Sequence, residues 1–430
     1  MKSLINRQVF AWAFYDFANS AFATTILAVI FNVYFVKVIC SGGVLVGKFL
    51  IPSEAFWAYS FSFSTLIIFF LSPILGARAD LSNTKKKSLI LFSLLGAIST
   101  GFLSCFKEGD YWAAALFFIL ANSGFALANV FYNAFLKSLS TPNTVGRVSA
   151  IGWAFGYIGG GLLLFINLLM IQQPEWFFIP LENHFPTRAA IFSVSLWWIL
   201  FSLPIFFWLD EPKSPQLEKE SSFFIGFQNV LQTLKDLKKH KEIFKFFLAY
   251  LIYNDGIETI IIMASIFGAQ ELKMSQSELI LCFLLIQGVA FLGSLLFGSM
   301  ADTWGHKISI WCTLIIFCAV TVWAALILKS KFEFWILGAV IGLILGGSQS
   351  ASRSFLSLLT PKEQSAQFFG FFALTGKVSN VVGPLTFGLL VQFFSLRIAV
   401  FSLTFFFIAG IFLLFYVNPN TLNNDKITNP

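Results

Sequence analysis

Twelve apolar runs of membrane-spanning length recur along the chain, in rough limits 9–38, 55–77, 88–106, 111–137, 148–171, 188–209, 243–268, 277–300, 308–328, 332–358, 366–394 and 397–417. A helix needs about 20 mainly apolar residues to cross a hydrocarbon core about 30 Å thick. Continuous runs of this kind predict helices rather than the short alternating strands of a membrane barrel. The rest of the composition agrees. With 57% hydrophobic and 11% charged residues, the chain has too little polar surface to cover a set of water-soluble domains. It is also too apolar to be intrinsically disordered. The first run contains Asp16 and Asn19 and ends at no small-residue cleavage pattern, so it reads as a first span and not as a removable signal. Cys40, Cys105, Cys282, Cys312 and Cys318 form no C-x-x-C pair. They read as small buried hydrophobes, and neither a metal site nor a cofactor is expected.

The basic residues set the expected orientation. With both termini in the cytoplasm, cytoplasmic segments carry 19 of the 28 Lys and Arg, the opposite side carries 8, and Lys377 is left inside a span. The positive-inside rule favours that arrangement. The excess comes mainly from Lys85, Lys86 and Lys87 and from a central segment with Lys235, Lys238, Lys239, Lys241 and Lys245. A basic segment beside a span reads as a topology signal resting on anionic lipid, not as a nucleic-acid site. The same stretch, about 210–242, is the only long polar one. It divides the chain into an N-terminal bundle at 1–209, a cytoplasmic linker with an amphipathic interfacial helix at 210–242, a C-terminal bundle at 243–418 and a cytoplasmic tail at 419–430.

The halves are internally similar. Residues 76–80 read GARAD and residues 298–302 read GSMAD; residues 133–142 read NAFLKSLSTP and residues 353–361 read RSFLSLLTP. Asp16 falls against Asp255 in the first span of each half, once a loop insertion near 38–54 is allowed for. Such repeats mark secondary transporter folds. The G-x-x-x-D pattern after the second span of each half resembles the signature loop of the major facilitator superfamily. The second copy keeps Gly298, Asp302, Gly305 and Lys307, while the first keeps Gly76 and Asp80 and moves its basic run to Lys85. Physically, the glycine permits close helix contact, and the aspartate can sit against the positive amino end of a neighbouring helix as a conformational lock.

More specific strings narrow the branch. WAFYDFANSAF (12–22), FYNAFL (131–136), RVSAIGWAFGYIGGG (147–161), YLIYNDG (250–256), GGSQSASRS (346–354) and FFGFFALTGKVSNVVGP (368–384) resemble, in order, the autophagy-related vacuolar effluxer family and its bacterial relatives. The resemblance implies an all-α membrane protein of twelve transmembrane helices in two pseudo-symmetric six-helix bundles. It also implies a permease of a kind associated in fungi with release of amino acids from the vacuole.

Ionisable groups at membrane depth are costly, roughly 3 kcal/mol each, and so are functional candidates. Counting about 1.5 Å per residue, Asp16 and Asp255 lie near the midplane of corresponding spans, either as an ion or substrate site or as a structural pair. Asn19 continues the face of Asp16, and Glu258 that of Asp255. The carboxylates of Asp255 and Glu258 are assigned to proton coupling, since like charges in low dielectric push one pKa upward. Asp16, Asn19, Asn129, Asn133, Gln349 and Lys377 are assigned to substrate binding. For Asn129, Asn133 and Gln349 the alternative is helix-to-helix hydrogen bonding; for Lys377 it is neutralising one of the acids. Arg353 is placed at a cytoplasmic gate. The glycines Gly152, Gly156, Gly159 and Gly160 read as helix packing, and Gly383 with Pro384 as a kink.

These readings converge on a secondary active transporter rather than an enzyme. It carries a small polar or zwitterionic solute, amino acids by efflux among the options, with protons as the coupling ion. It is expected to act as a monomer in the cell membrane, with the lipid bilayer as its solvent and no nucleic-acid partner. No nucleotide-binding loop is present, and His184, His240 and His306 belong to no catalytic constellation. The competing class is a membrane receptor without turnover, or a lipid-handling membrane protein.

Overall fold

The computed structural model describes residues 5–211, 223–235 and 240–418. The chain is helical almost throughout. Six helices precede the linker: α1 (Arg7–Ile39), α2 (Ser53–Ser82), α3 (Lys85–Leu103), α4 (Tyr111–Leu139), α5 (Val145–Gln172) and α6 (Phe185–Trp208). The linker helix is α7 (Phe223–Lys235). Beyond it come α8 (Lys241–Glu271), α9 (Gln276–Trp304), α10 (His306–Leu326), α11 (Lys331–Leu359), α12 (Ser365–Phe393) and α13 (Leu396–Phe415). Among the described residues, eleven helices are long and apolar enough to cross a membrane. The remaining expected span is occupied by α12, several of whose side chains, Lys377 included, lie outside the described residues. The tail 419–430 and the linker residues 212–222 and 236–239 lie outside them as well.

Helix ends follow local chemistry. Asn6 caps α1, its side chain accepting from the N–H groups of Gln8 and Val9 at 2.9 Å each. Ser275 and Ser330 open α9 and α11 through reciprocal capping boxes with Glu278 and Glu333. Two stretches of α1, Phe22–Val29 and Phe35–Ile39, wind as π-helix, which widens the helix just beyond Asp16 and Asn19. The insertion after α1 forms a hairpin of β1 (Val44–Val46) and β2 (Phe49–Ile51), with Val44 opposite Ile51 and Val46 opposite Phe49.

The chain forms two compact units. The first holds residues 1–72, 82–132 and 155–217; the second holds 73–81, 133–154 and 218–430. In the first, α6 packs along α1 and α3; in the second, α13 packs along α8 and α10, so the duplication read in the sequence reappears as the same helix pairing. Small residues set the closest crossing in the second unit. A Cβ at Gly342 would meet the Ile286 carbonyl oxygen at 2.7 Å, and Gly293 and Gly346 meet Leu343 and Ala290 backbone more closely still, so α9 and α11 approach backbone to backbone.

Candidate functional site

The loop end of the second unit is built from two copies of one device. α12 begins without a side-chain cap of its own, so its first amides need an outside acceptor. Asp80, at the end of α2, supplies it: Oδ1 accepts from the Ala366 N–H at 3.2 Å and Oδ2 from the Gln367 N–H at 2.8 Å. Asp302, at the end of α9, does the same for α5. Its Oδ1 accepts from the Gly146 N–H at 2.7 Å and its Oδ2 from the Arg147 N–H at 3.0 Å. The two pairs of amides are 220 residues apart, and each aspartate sits on the opposite half of the sequence from the helix it caps. Each carboxylate thus meets the positive end of a helix dipole through two charge-assisted bonds.

Glycine makes the approach possible. A Cβ at Gly76 would overlap the Ala366 carbonyl, and one at Gly298 would meet the Gly146 carbonyl oxygen at 2.7 Å. The Asp302 latch has one addition: Arg147 Nε donates to Asp302 Oδ2 at 2.9 Å. The Arg147 side chain is 45% exposed whereas the Asp302 side chain is 1% exposed, so solvent weakens the ion pair. Gly305 is the turn between α9 and α10, with φ of 104° that favours glycine. Lys307 does not join a latch. Its Nζ donates to the carbonyls of Phe415 at 2.6 Å and Val417 at 3.0 Å, capping the end of α13.

Next to the latches, residues related by the repeat touch one another. Arg353 Nη1 donates to Asn133 Oδ1 at 3.3 Å across a separation of 220 residues, and Lys137 Nζ donates to the Ser357 carbonyl at 2.7 Å across the same separation. Arg353 is 2% exposed and fully engaged. Nε donates to Ser149 Oγ at 3.0 Å, Nη2 to the Ser149 carbonyl, and the guanidinium carbon lies 5.1 Å from the Trp153 ring centre. Asn133 is therefore a partner of Arg353, and Gln349, one turn before Arg353, is half-buried.

The carboxylates of Asp16 and Asp255 sit in different surroundings. In the first unit, Asp16 is 6% exposed and accepts from Tyr132 Oη at 3.0 Å. Tyr132 is held by stacking on Trp12, centroids 4.5 Å apart, and by the Trp12 Nε1 bond to its carbonyl at 2.8 Å. Asn19 Nδ2 donates to Asn129 Oδ1 at 2.8 Å, so these two side chains are bonded to each other. A Cβ at Gly156 of α5 would lie 3.2 Å from Asp16 Oδ1 and 2.7 Å from Ser20 Oγ. In the second unit, Asp255 is 2% exposed and its Oδ1 has no hydrogen-bond partner among the described residues. It faces Gly383 of α12, where a Cβ would lie 2.8 Å from Oδ1 and would overlap Thr259 Oγ1. Glu258, one turn on, is half-buried.

Each carboxylate thus rests on a glycine in the fifth span of its half, positions read from the sequence as packing and kink alone. The correspondence is of helices and not of residues. The 220-residue offset places Gly376, not Gly383, against Gly156, so the second carboxylate sits deeper along its partner helix. Tyr132 and the two glycines give no signal as site residues in sequence, because their role comes from helices brought together in the fold.

Comparison with known proteins agrees with this architecture. The family described as "Vacuole effluxer Atg22 like" matches residues 6–426. The uncharacterized MFS-type transporter YxiO of Bacillus subtilis is 31% identical over 98% of this chain and 97% of its own length. Autophagy-related protein 22 of Kluyveromyces lactis is 28% identical over 85% of this chain and 80% of its own. Among solved structures, the human organic anion transporter MFSD10 superposes with a TM-score of 0.72 at 15% identity, covering 95% of this chain and 99% of that one, a likeness of fold. By its motifs, its duplicated helices and these relatives, the chain belongs to the Atg22-like vacuole effluxer family of the major facilitator superfamily.

Proposed function

We propose that the protein moves a small polar or zwitterionic solute, amino acids by efflux foremost, across the membrane by alternating access coupled to protons. The observation that carries this reading is the buried, unpartnered Oδ1 of Asp255. With that oxygen unbonded, a charge there is only partly compensated, and a solute or a rearranged helix can change its surroundings. Asp16, already bonded to Tyr132, is suited to remain ionised and attract a cationic group. Asn19, Asn129 and Gln349 supply amide chemistry that fits a zwitterion. Lys377 is assigned to the solute carboxylate or to neutralising an acid. The latches at Asp80 and Asp302 hold one of the alternating states and break in the other.

In this reading the termini and linker are cytoplasmic, the protein lies in the cell membrane, and one copy suffices. The test is counterflow. Purified protein in vesicles loaded with unlabelled amino acids should accumulate the labelled solute transiently, an exchange that a receptor without turnover cannot perform. Amino acids that raise thermal stability in a prior ligand screen name the first candidates. A stabilising ligand that shows no counterflow would turn the assignment towards a receptor.

A further inference from the structure

The linker helix α7 carries two faces of different chemistry. Gly226, Val230 and Thr233 are buried, while Phe224, Phe227 and Leu231 are 63%, 41% and 40% exposed and form a continuous apolar ridge. The buried face grips one of the two latches. A Cβ at Gly226 would lie 2.6 Å from the Ile74 carbonyl oxygen and 3.3 Å from Arg78 Cβ, so α7 rides directly on the end of α2 that carries Asp80. Thr233 Oγ1 accepts from Gln367 Nε2 at 2.8 Å, and the Asn229 carbonyl accepts from the same nitrogen at 3.4 Å. Gln367 is also the residue whose backbone N–H is held by Asp80. The chain Thr233–Gln367–Asp80 therefore ties α7 to both helices that this latch joins. At the other latch, Asp302 has the Arg147 guanidinium as its extra partner.

The packing of α7 brings the exposed ridge beside the end of a span. α7 lies on the end of a span, and Lys235 is six residues from the start of the span α8 at Lys241. Lys235 closes the helix, and the sequence continues through Lys238, Lys239 and Lys241. Three large apolar side chains on a helix that ends at the exposed Lys235, with the exposed Lys241 opening the next span, fit an anionic lipid surface, where aromatics enter the headgroup boundary and lysines meet its charge.

We propose that α7 is a membrane-surface strap whose outer ridge seats on anionic lipid while its inner face holds the Asp80–Gln367 latch, so that lipid charge sets how readily that latch opens. This goes beyond the transport reading and is independent of which solute crosses. Amide hydrogen exchange of the 365–368 segment reports it in full-length protein reconstituted in vesicles of neutral lipid or of one-third anionic lipid. Because each lysine at an anionic surface contributes about a fivefold effect, exchange in the wild type is expected to be at least about fivefold slower in the anionic vesicles. The double variant Phe224→Ser/Phe227→Ser changes only exposed side chains and should abolish the dependence on lipid charge. Thr233→Val should speed exchange in both vesicle types. Equal exchange of the wild type in the two lipids, dependence that survives in the double variant, or unchanged protection in Thr233→Val would each overturn the proposal.

Discussion

Asp302 and Arg147 illustrate how burial ranks two bonds to the same carboxylate. The amide bonds from Gly146 and Arg147 come from fixed backbone at a helix end and meet a carboxylate that is itself 1% exposed, and each is worth roughly 1.5–3 kcal/mol as a bond to a charged acceptor. The guanidinium bond is half in solvent, in the range of about 0–1 kcal/mol. Arg147→Gln should therefore change thermal stability by less than about 1 kcal/mol, while Asp302→Ala should cost about 2–5 kcal/mol because it strands two helix-end donors. Calorimetry or thermal unfolding in detergent ranks the two, and equal losses would contradict the burial argument. Glu211 makes a similar remote cap, accepting from the N–H groups of Lys85 at 3.0 Å and Lys86 at 2.6 Å at the uncapped start of α3. Burial nevertheless wins over those bonds and raises its pKa above the ordinary 4.5. A raised carboxylate binds its proton more tightly in the native state, so its stabilising contribution is full below the ordinary value and is lost as pH rises through the raised one. Glu211→Gln should flatten the pH dependence of unfolding in that window, with the wild type losing relative stability on the alkaline side. A wild type that gains stability there, relative to the variant, would reverse the sign.

At the scale of elements, glycine decides which helices can touch. A Cβ at Gly159 would overlap the Phe17 carbonyl, so the approach of α5 to α1 requires its absence, whereas Gly288 in α9 has open space around it. Gly159→Val is expected to destabilise the protein by about 1–3 kcal/mol through overpacking. Gly288→Ala should be neutral or stabilising by up to about 1 kcal/mol through the unfolded chain. The span limits were legible in the sequence because hydropathy and length act locally, and the helices depart from the expected limits by a few residues. The helix-end contacts of Asp80 and Asp302 were legible for the same reason, since G-x-x-x-D is a short string repeated at a fixed offset. The Tyr132 bond to Asp16, the seat of Asp255 on Gly383 and the Glu211 cap were not, since each joins residues far apart in the chain. The π-helical turns of α1 leave no mark in an apolar run. Lys307, read as part of the lock, caps α13 because the basic residue after Gly305 opens α10 beside that helix end.

At the scale of the whole molecule, the repeat produces a matched pair of aspartate caps and an unmatched pair of buried carboxylates. Symmetry suits a lock, because two equal caps can form and break together. A coupling site needs one group whose protonation is more responsive than that of its counterpart. Asp16 has a hydroxyl donor and Asp255 Oδ1 has none among the described residues, and the coupling role proposed for Asp255 rests on that difference. The decisive measurement compares wild type and Asp255→Asn in proteoliposomes, using an amino acid that passes the counterflow test. Under an imposed pH difference the wild type should concentrate the solute against its gradient. Asp255→Asn should lose that accumulation entirely while retaining counterflow down the solute's own gradient. Concentrative uptake by Asp255→Asn at the wild-type level would contradict the account.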